Sequence, residues 1–560
     1  MHMRTIAPFE RISSYLRSLS PGDRSIAYLL GLLIAGTSIA GFFQLEQSVL
    51  VAVPAYGGTL TEGAVGSPRF VNPLLALSDA DRDLTALTYA GLMGEDGNGN
   101  LVPILAEEYT VSDDGKTYTF TLRSNAVFSD GIAVTADDVV FTVGKAQDPA
   151  LKSPEYANWN GVTVTAIDPH TVEFRLAKSY APFLENTTLG ILPAHLWRGV
   201  SDEEFPFSTL MTEPIGAGPF VVSRVVRNAS GIIKEYDLTA HKKYAPGRPH
   251  LSGITFIYYP EESDLQKALA AGTIDSAYGL PNADALRAPY SRVFGVFFNA
   301  SENPAFSHLE VRKALSIALN RNLIAQEVLG GFAVPLAGPV PPGSGITETP
   351  IPDAENRTAN AAKILTDAGW TYDGENRTWK KGTETLSVTL RTSNVPELKA
   401  VAGAVRDDWE TLGVPVSIEL YEPGDLTQNV IRPRKYQALL FGMVIGRDRD
   451  LYAFWDSAQR NDPGLNIALY TNKAVDELLE KAREESDPAT EKATLQKAND
   501  LIAADYPAAF THAPSFLYVI PENLHGVTLP QIASPSDRFS GVATWYLRTE
   551  KIWPFLLKSE

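Results

Sequence analysis

Between Ala106 and Phe141 the chain reads AEEYTVSDDGKTYTFTLRSNAVFSDGIAVTADDVVF, and this stretch limits the possible folds more than any other. Asp114-Gly115 is a turn signal, because glycine accepts the left-handed backbone that a tight hairpin needs. After it Tyr118, Phe120 and Leu122 alternate with Thr117, Thr119, Thr121 and Arg123, the period-two pattern of a strand with one buried face. A second turn follows at Asp130-Gly131. Thr135 then stands where it caps a helix, with Asp138 three residues on and Asp137 also in the first turn, where carboxylates oppose the positive end of the helix dipole. Val139, Val140 and Phe141 begin the apolar face. Asp114, Asp130, Asp137 and Asp138 are therefore read as shaping turns and caps rather than touching a ligand.

The rest of the chain continues the mixture of periods. Thr163 to Ile167 and Thr171 to Leu176 predict two strands around Asp168-Pro169, and Asp264 to Ala271 predicts a short helix. The strongest helical pattern runs from Ser307 to Leu329, with a capping box at Ser307 and Glu310, apolar residues at Val311, Leu315, Ala318 and Leu319, and a stop at Gly330-Gly331. A helix from Glu397 to Leu412 ends at Gly413 and leads into a strand from Val414 to Leu420. Helices near Ala474 to Glu485 and Ala489 to Asp505 meet around Asp487-Pro488. Pro335 to Pro352 reads as a long loop, Val49 to Tyr56 as a linker, and Gly57 to Glu62 as the start of a strand. This is an α/β chain.

With 560 residues it is too long for one core. Its 44% apolar and 20% charged residues describe a folded protein. A formal net charge of −18 and the lack of a long basic run argue against nucleic acid as a partner. The absence of cysteine removes disulfides, thiolate metal sites, a cysteine nucleophile and a lipid-modified cysteine. No G-x-S-x-G elbow, H-E-x-x-H, phosphate loop or Rossmann glycine pattern occurs. Neither His195 nor His241 has another histidine or a carboxylate at metal-ligand spacing. Asp79, Asp81 and Asp83 alternate without the glycine of a calcium loop, so they read as a solvated turn or helix start. No enzymatic activity, metal or cofactor is expected.

Ile26 to Phe43 is an uncharged, mainly apolar run that is roughly 27 Å long as a helix, close to the hydrocarbon thickness of a bilayer. Arg4, Arg11, Arg17 and Arg24 outweigh Glu10 and Asp23 before it, which places the N-terminus inside. The expectation is a cytoplasmic segment over 1–25 and a membrane anchor over 26–45. A cleaved signal peptide, with Ile26 to Ala35 as its apolar region and Ser38-Ile39-Ala40 as its small-residue site, stays open. Both export the remainder.

The DGK turn, the threonine-rich strand ending in Leu-Arg, the aromatic before Asp-Gly and the Thr-Ala-Asp-Asp-Val run together resemble the signature region of solute-binding protein family 5, the dipeptide and oligopeptide receptors of bacterial ABC importers. Further similarities follow in order: PIGAGPF at Pro214 to Phe220, LAAGTID at Leu269 to Asp275, Phe297-Phe298-Asn299 with Val311 to Leu315, NAAKILTDAGW at Asn360 to Trp370, and YTNKAVDELL at Tyr470 to Leu479. The resemblance implies a two-lobed, periplasmic-binding-protein type II-like α/β fold with mixed sheets and an interlobe hinge. It places a first lobe at 57–291 plus 524–560, with an extra subdomain at about 89–191, and a second lobe at 292–523.

It also implies a site. The strand within Tyr436 to Ile445 would offer the backbone of Gly442, Met443 and Val444 to a peptide. A carboxylate beyond it would meet the ligand's amine. Gly446 occupies that place here, and a loop shift brings Asp448 or Asp450 to it; the alternative, that both pair with Arg447 and Arg449, stays open. Glu62 and Gly63 match another position near the ligand, and Tyr452, Phe454 and Trp455 are candidates for a pocket wall. The implied function is a monomeric extracytoplasmic receptor that captures a peptide or similar small solute and delivers it to an ABC permease. The alternative is an anchored structural or signalling protein that keeps the fold without transport, which a cleft plugged by Pro335 to Pro352 would favour.

Overall fold

Ser20 caps helix α1 (Pro21–Val49): its hydroxyl accepts the Asp23 N–H at 3.3 Å and donates to the Asp23 carboxylate at 2.6 Å. The structure, a computed structural model, describes residues 15–352, 355–446, 449–485 and 487–554, without the side chains of 39–49. Ile26, Leu29, Leu32 and Ile34 on α1 are each more than half exposed. The expected span over Ile26 to Phe43 runs past residue 38, beyond which its side chains lie outside the described residues. The described apolar part is roughly 20 Å long, against a hydrocarbon core of about 30 Å. Among the described residues no helix is long and apolar enough to cross a membrane, so the anchor expectation has no described span behind it.

Two units divide the chain, Met1–Tyr56 with Tyr546–Glu560, and Gly57–Trp545. Where a linker was expected the first unit has a strand, β1 (Val51–Ala55). The second unit opens with β2 (Thr59–Val65) and α2 (Asp79–Thr88), the helix capped reciprocally by Ser78 and Asp81. The hairpin of β3 (Ala106–Val111) and β4 (Thr117–Leu122) turns through Gly115 at φ +67°, and Tyr118, Phe120 and Leu122 are its buried face. Thr135 precedes α3 (Ala136–Ala146), and its N–H and hydroxyl both donate to Asp138, at 2.8 and 2.9 Å. With β5 (Thr163–Asp168) and β6 (Thr171–Arg175) these strands make a four-stranded sheet in the order β3-β4-β6-β5. Phe120, Trp159, Phe174 and Phe183 fill its core; each such buried side chain contributes about 2–3 kcal/mol by area.

The central sheet gathers β7 (Phe220–Arg227), β8 (Ile233–Ala240) and β9 (Gly253–Tyr259), then, after α4 (Glu262–Ala270), β10 (Ser276–Tyr278) and β11 (Arg292–Phe298). Helix α5 (Leu309–Ala318) follows, then β12 (Val388–Ser393), α6 (Pro396–Leu412), β13 (Val416–Tyr421), β14 (Ala438–Val444), α7 (Lys473–Glu484), α8 (Pro488–Asp505) and β15 (Ala508–Val519). The strand order is β13-β12-β14-β11-β15-β10-β2-β9-β8-β7. In the first unit β16 (Arg548–Ile552) pairs antiparallel with β1.

Strand β15 ties the sheet together. Its residues Ala508 to His512 pair with β11, and Tyr518 and Val519 pair with β10. The neighbouring segment Leu286–Pro289 pairs with Ser515 to Tyr518, so both chain crossings lie side by side, at Pro289 to Arg292 and between His512 and Ser515. Strand β14 is apolar on both faces, as a fully covered strand must be: Leu439 and Met443 join a cluster with Trp455 and Phe510, while Ala438 and Leu440 join one with Trp409 and Val405.

The long helix expected over Ser307 to Leu329 is broken. Ser307 lies in a 3₁₀ turn and returns its hydroxyl to the Pro304 carbonyl at 2.7 Å, so it caps nothing. Leu319 is extended, and Asn320 caps a separate turn by accepting from the Leu323 N–H. Arg321 is buried there and donates to the carbonyls of Ser316, Leu336 and Phe510, contacts that an unbroken helix would not deliver.

Candidate functional site

Two cavities flank the place where β11 and β14 end together, at the pair Arg292 and Val444. The larger, about 670 Å³, is walled by aromatic residues from both sides of the crossings: Tyr278 and Tyr290 before them, Phe294 and Phe332 after, and His512 and Phe516 on β15. Its charged lining residues are Asp79, Arg292 and Glu397. The second, about 490 Å³, is lined by Val444 and Gly446 together with Arg82, Tyr180, Asn186 and Asp537.

Gly442 sets the larger wall. A Cβ there would meet the Phe294 ring at 2.6 Å, so only glycine lets that ring lie across the strand. Phe294 in turn stacks on His512, with ring centroids 4.8 Å apart and planes 2° from parallel. Burial pushes the His512 imidazole down to about 4. The unfolded chain, with an ordinary histidine near 6.5, binds the extra proton between these values. His512 therefore supplies stability that is complete above about pH 6.5 and is lost as the pH falls toward 4, about 2 kcal/mol of it by pH 5. Asp83, which burial shifts upward, has the opposite sign, but it is common to both proteins in a comparison with His512→Gln. Urea unfolding at pH 7 and pH 5 is expected to show a loss smaller by about 2 kcal/mol in the variant; equal losses would rule the assignment out.

Burial also raises the phenols of Tyr278 and Tyr290, which keeps both as hydroxyl donors, and Tyr278 donates to Asp79 at 3.1 Å. Arg292 lies with its guanidinium carbon 4.2 Å from the Tyr290 ring centre. The 441–444 part of β14 pairs with β11 on one side only: β12 reaches no further than Ala438 and Leu439.

The residues singled out from sequence divide sharply. Val444 is 47% exposed and faces the smaller cavity, Gly442 shapes the larger wall, and Met443 is buried in the core. Glu62 is fully buried and accepts from Arg538 at 2.9 Å and from Tyr518 at 3.0 Å. It is an internal charge partner. Gly63 faces α4, where a Cβ would stand 2.3 Å from Ile274 and 2.5 Å from Leu265; it too is a packing requirement. Asp448 lies outside the described residues. Asp450 forms an ion pair with Arg483 at 3.1 Å and accepts the Tyr452 N–H at 2.9 Å, while Arg449 pairs with Glu491. Tyr452 lies under the same Arg483, 4.4 Å from ring centre to guanidinium carbon. Arg483 also approaches Tyr180, at 5.1 Å, and its carbonyl accepts the Ala181 N–H at 2.8 Å. Asp450 is thus spent on a bridge between residues 180–181 and the end of α7.

Sequence reasoning missed Arg292, Tyr290, Phe294, His512 and Phe516, whose only sequence signal is aromatic density that equally describes a core. Asp79 was read as solvated; it is part exposed, but Asp81 and Asp83 on the same helix are buried. His195 pairs with Asp130 at 2.8 Å and His241 is buried against the Gly218 carbonyl. Among the described residues no group of three metal-binding side chains occurs.

Comparison with known proteins agrees with this architecture. Over residues 100–463 the chain matches the family model described as bacterial extracellular solute-binding proteins, family 5 middle. It is 27% identical over 514 residues to the oligopeptide-binding protein AppA of Bacillus subtilis (strain 168), spanning 88% of this chain and 92% of that one. The solved structure of AppA in complex with a nonapeptide superposes with a TM-score of 0.69 at 25% identity, covering 89% of this chain and 100% of that one. The ABC transporter substrate-binding protein CtaP of Listeria monocytogenes superposes with a TM-score of 0.75 at 26% identity, covering 88% and 99%. The family model spans more than half of the sequence, and the chain belongs to the bacterial extracellular solute-binding proteins of family 5.

Proposed function

We propose that this receptor captures a peptide or peptide-like solute in the cavities beside Arg292 and Val444 and delivers it to an ABC permease. The observation that carries the reading is the 670 Å³ cavity, whose aromatic walls and opposite charges come from both sides of two adjacent chain crossings. That volume is within the ordinary range for small-molecule sites. The unpaired edge of β14 over 441–444 supports a ligand that adds main-chain hydrogen bonds as an extra strand would, a mode with little side-chain preference. AppA, a relative named as oligopeptide-binding, was solved with a nonapeptide.

In this reading residues 57–291 with 515–545 form one lobe, carrying the subdomain at about 89–191, and 292–514 form the other. The crossings act as the hinge, and closure on the ligand is what the permease recognises. Gly442, Val444 and the larger cavity's residues are the ligand contacts; Asp450, already paired, is not the amine anchor. The alternative of a fold kept without transport is disfavoured, because residues 335–352 line neither cavity. A membrane tether forms no part of the proposal, since among the described residues no helix is long and apolar enough to span. Native mass spectrometry of the purified protein mixed with a defined peptide library tests the reading: stoichiometric peptide adducts that disappear on denaturation are expected. A library in which nothing binds would sink it.

A further inference from the structure

We infer that Arg292 is the residue that reads a carboxylate on the bound solute, so that the receptor selects acidic ends or acidic side chains over their neutral amides. The inference rests on the peptide-receptor reading and deepens it. Among the residues lining the larger cavity Arg292 is the one cation, with His512 neutral. Its Nε is buried and has no hydrogen-bond partner, and neither Asp79 nor Glu397, the acidic residues of the same lining, forms an ion pair with it. Asp79 is engaged by Tyr278 and Arg82 instead.

Arg449 and Arg483 also bury an unmatched Nε, but each is held in an ion pair, with Glu491 and Asp450 respectively, and the remaining buried guanidinium groups are saturated. Arg538 is saturated by Glu62, Asp83 and the Pro535 carbonyl, Arg321 by Ser316 and the Leu336 and Phe510 carbonyls, and Arg312 by the carbonyls of Phe306, Asp505 and Tyr506. A buried donor left unmatched is unfavourable unless something arrives to accept from it. The Tyr290 ring covers one side of the Arg292 cation and holds it in place. The first residue of β11 is also fixed by its ladder position opposite Val444. The donors are thus held in advance for a planar acceptor, and a carboxylate takes two parallel N–H bonds from such a fork. Acidic partners for a ligand amine are present across the same cavity at Asp79 and Glu397.

Calorimetry with matched pairs decides this, each pair a library peptide as free acid and as C-terminal amide, with a parallel set in which Glu is exchanged for Gln. The wild-type protein is expected to prefer one acid form by roughly 10- to 100-fold; whether amidation of the terminus or of the side chain removes the preference identifies the carboxylate concerned. Arg292→Gln should bind acid and amide within about threefold of each other, at the wild-type affinity for the amide. Arg292→Lys, which keeps the charge without the fork, should keep a reduced preference, and it serves as the test if the glutamine variant does not fold. A preference that persists in Arg292→Gln, or a wild-type protein that binds peptides with no acid preference, overturns the inference and leaves the receptor reading standing. A wild-type protein that binds no peptide overturns both.

Discussion

Arg538→Ala is expected to destabilise the main unit by about 3–5 kcal/mol, because it strips the counterion from two carboxylates that no water reaches. Arg538, Glu62 and Asp83 are all fully buried. The guanidinium meets Asp83 through a two-pronged contact at 2.8 and 2.6 Å, and Glu62 at 3.2 and 2.9 Å. Tyr278 and Phe539 close over it at 4.5 and 4.1 Å. One cation thus joins β2, α2 and the turn Pro535–Phe539, three segments from opposite ends of the sequence. Arg538→Lys should recover little, since a point charge cannot bridge both carboxylates in this fork. Replacing all three by apolar residues of similar volume should recover much of the loss, as desolvation disappears with the charges. Equilibrium unfolding in urea measures each value, and a loss below about 1 kcal/mol for Arg538→Ala would contradict the account. Because α2 also carries Asp79 and the cluster abuts Tyr278, the partial unfolding that follows should reach the cavity and weaken solute binding too.

The second large effect is expected at Gly218, where alanine should cost about 3 kcal/mol, near the upper end for overpacking. A Cβ there would stand 2.5 Å from the Thr88 carbonyl carbon and 2.7 Å from Leu87 O and Tyr89 N. These are main-chain atoms at the end of α2, which cannot swing aside as a side-chain tip would. The Gly218 N–H also donates to the Thr88 carbonyl at 2.9 Å, so separation breaks a bond as well as relieving a clash. Gly216 meets the same Thr88 oxygen at 2.2 Å from its Cβ position. By contrast Gly424→Ala, with nothing within 4 Å of the new methyl, should be nearly neutral. Thermal unfolding of the pair Gly218→Ala and Gly424→Ala checks the argument, which fails if the two midpoints fall equally.

The PIGAGPF motif illustrates how far the sequence reaches. It carried part of the family resemblance, while its physical reason, the close approach of two backbones, appears only once α2 is placed beside it. The hairpin through Gly115 and the Thr135–Asp138 cap were legible outright, since neighbouring residues supply every contact involved. The helix from Ser307 was overextended because its apolar spacing persists through Leu319, whereas Arg321 needs distant carbonyls that break the helix.

Local periodicity, turn chemistry and the ordered family motifs thus determined the α/β class, most of the strands and helices, and membership of a solute-binding family. Only the tertiary structure decided the site. Glu62 is paired with an arginine 476 positions away, Asp450 meets Arg483 from the end of another helix, and Arg292 is left with an unmatched donor in a cavity. Burial and charge pairing depend on which distant segments meet, and the energy of an ion depends on that company. A sequence pattern read over a few turns carries no information about it.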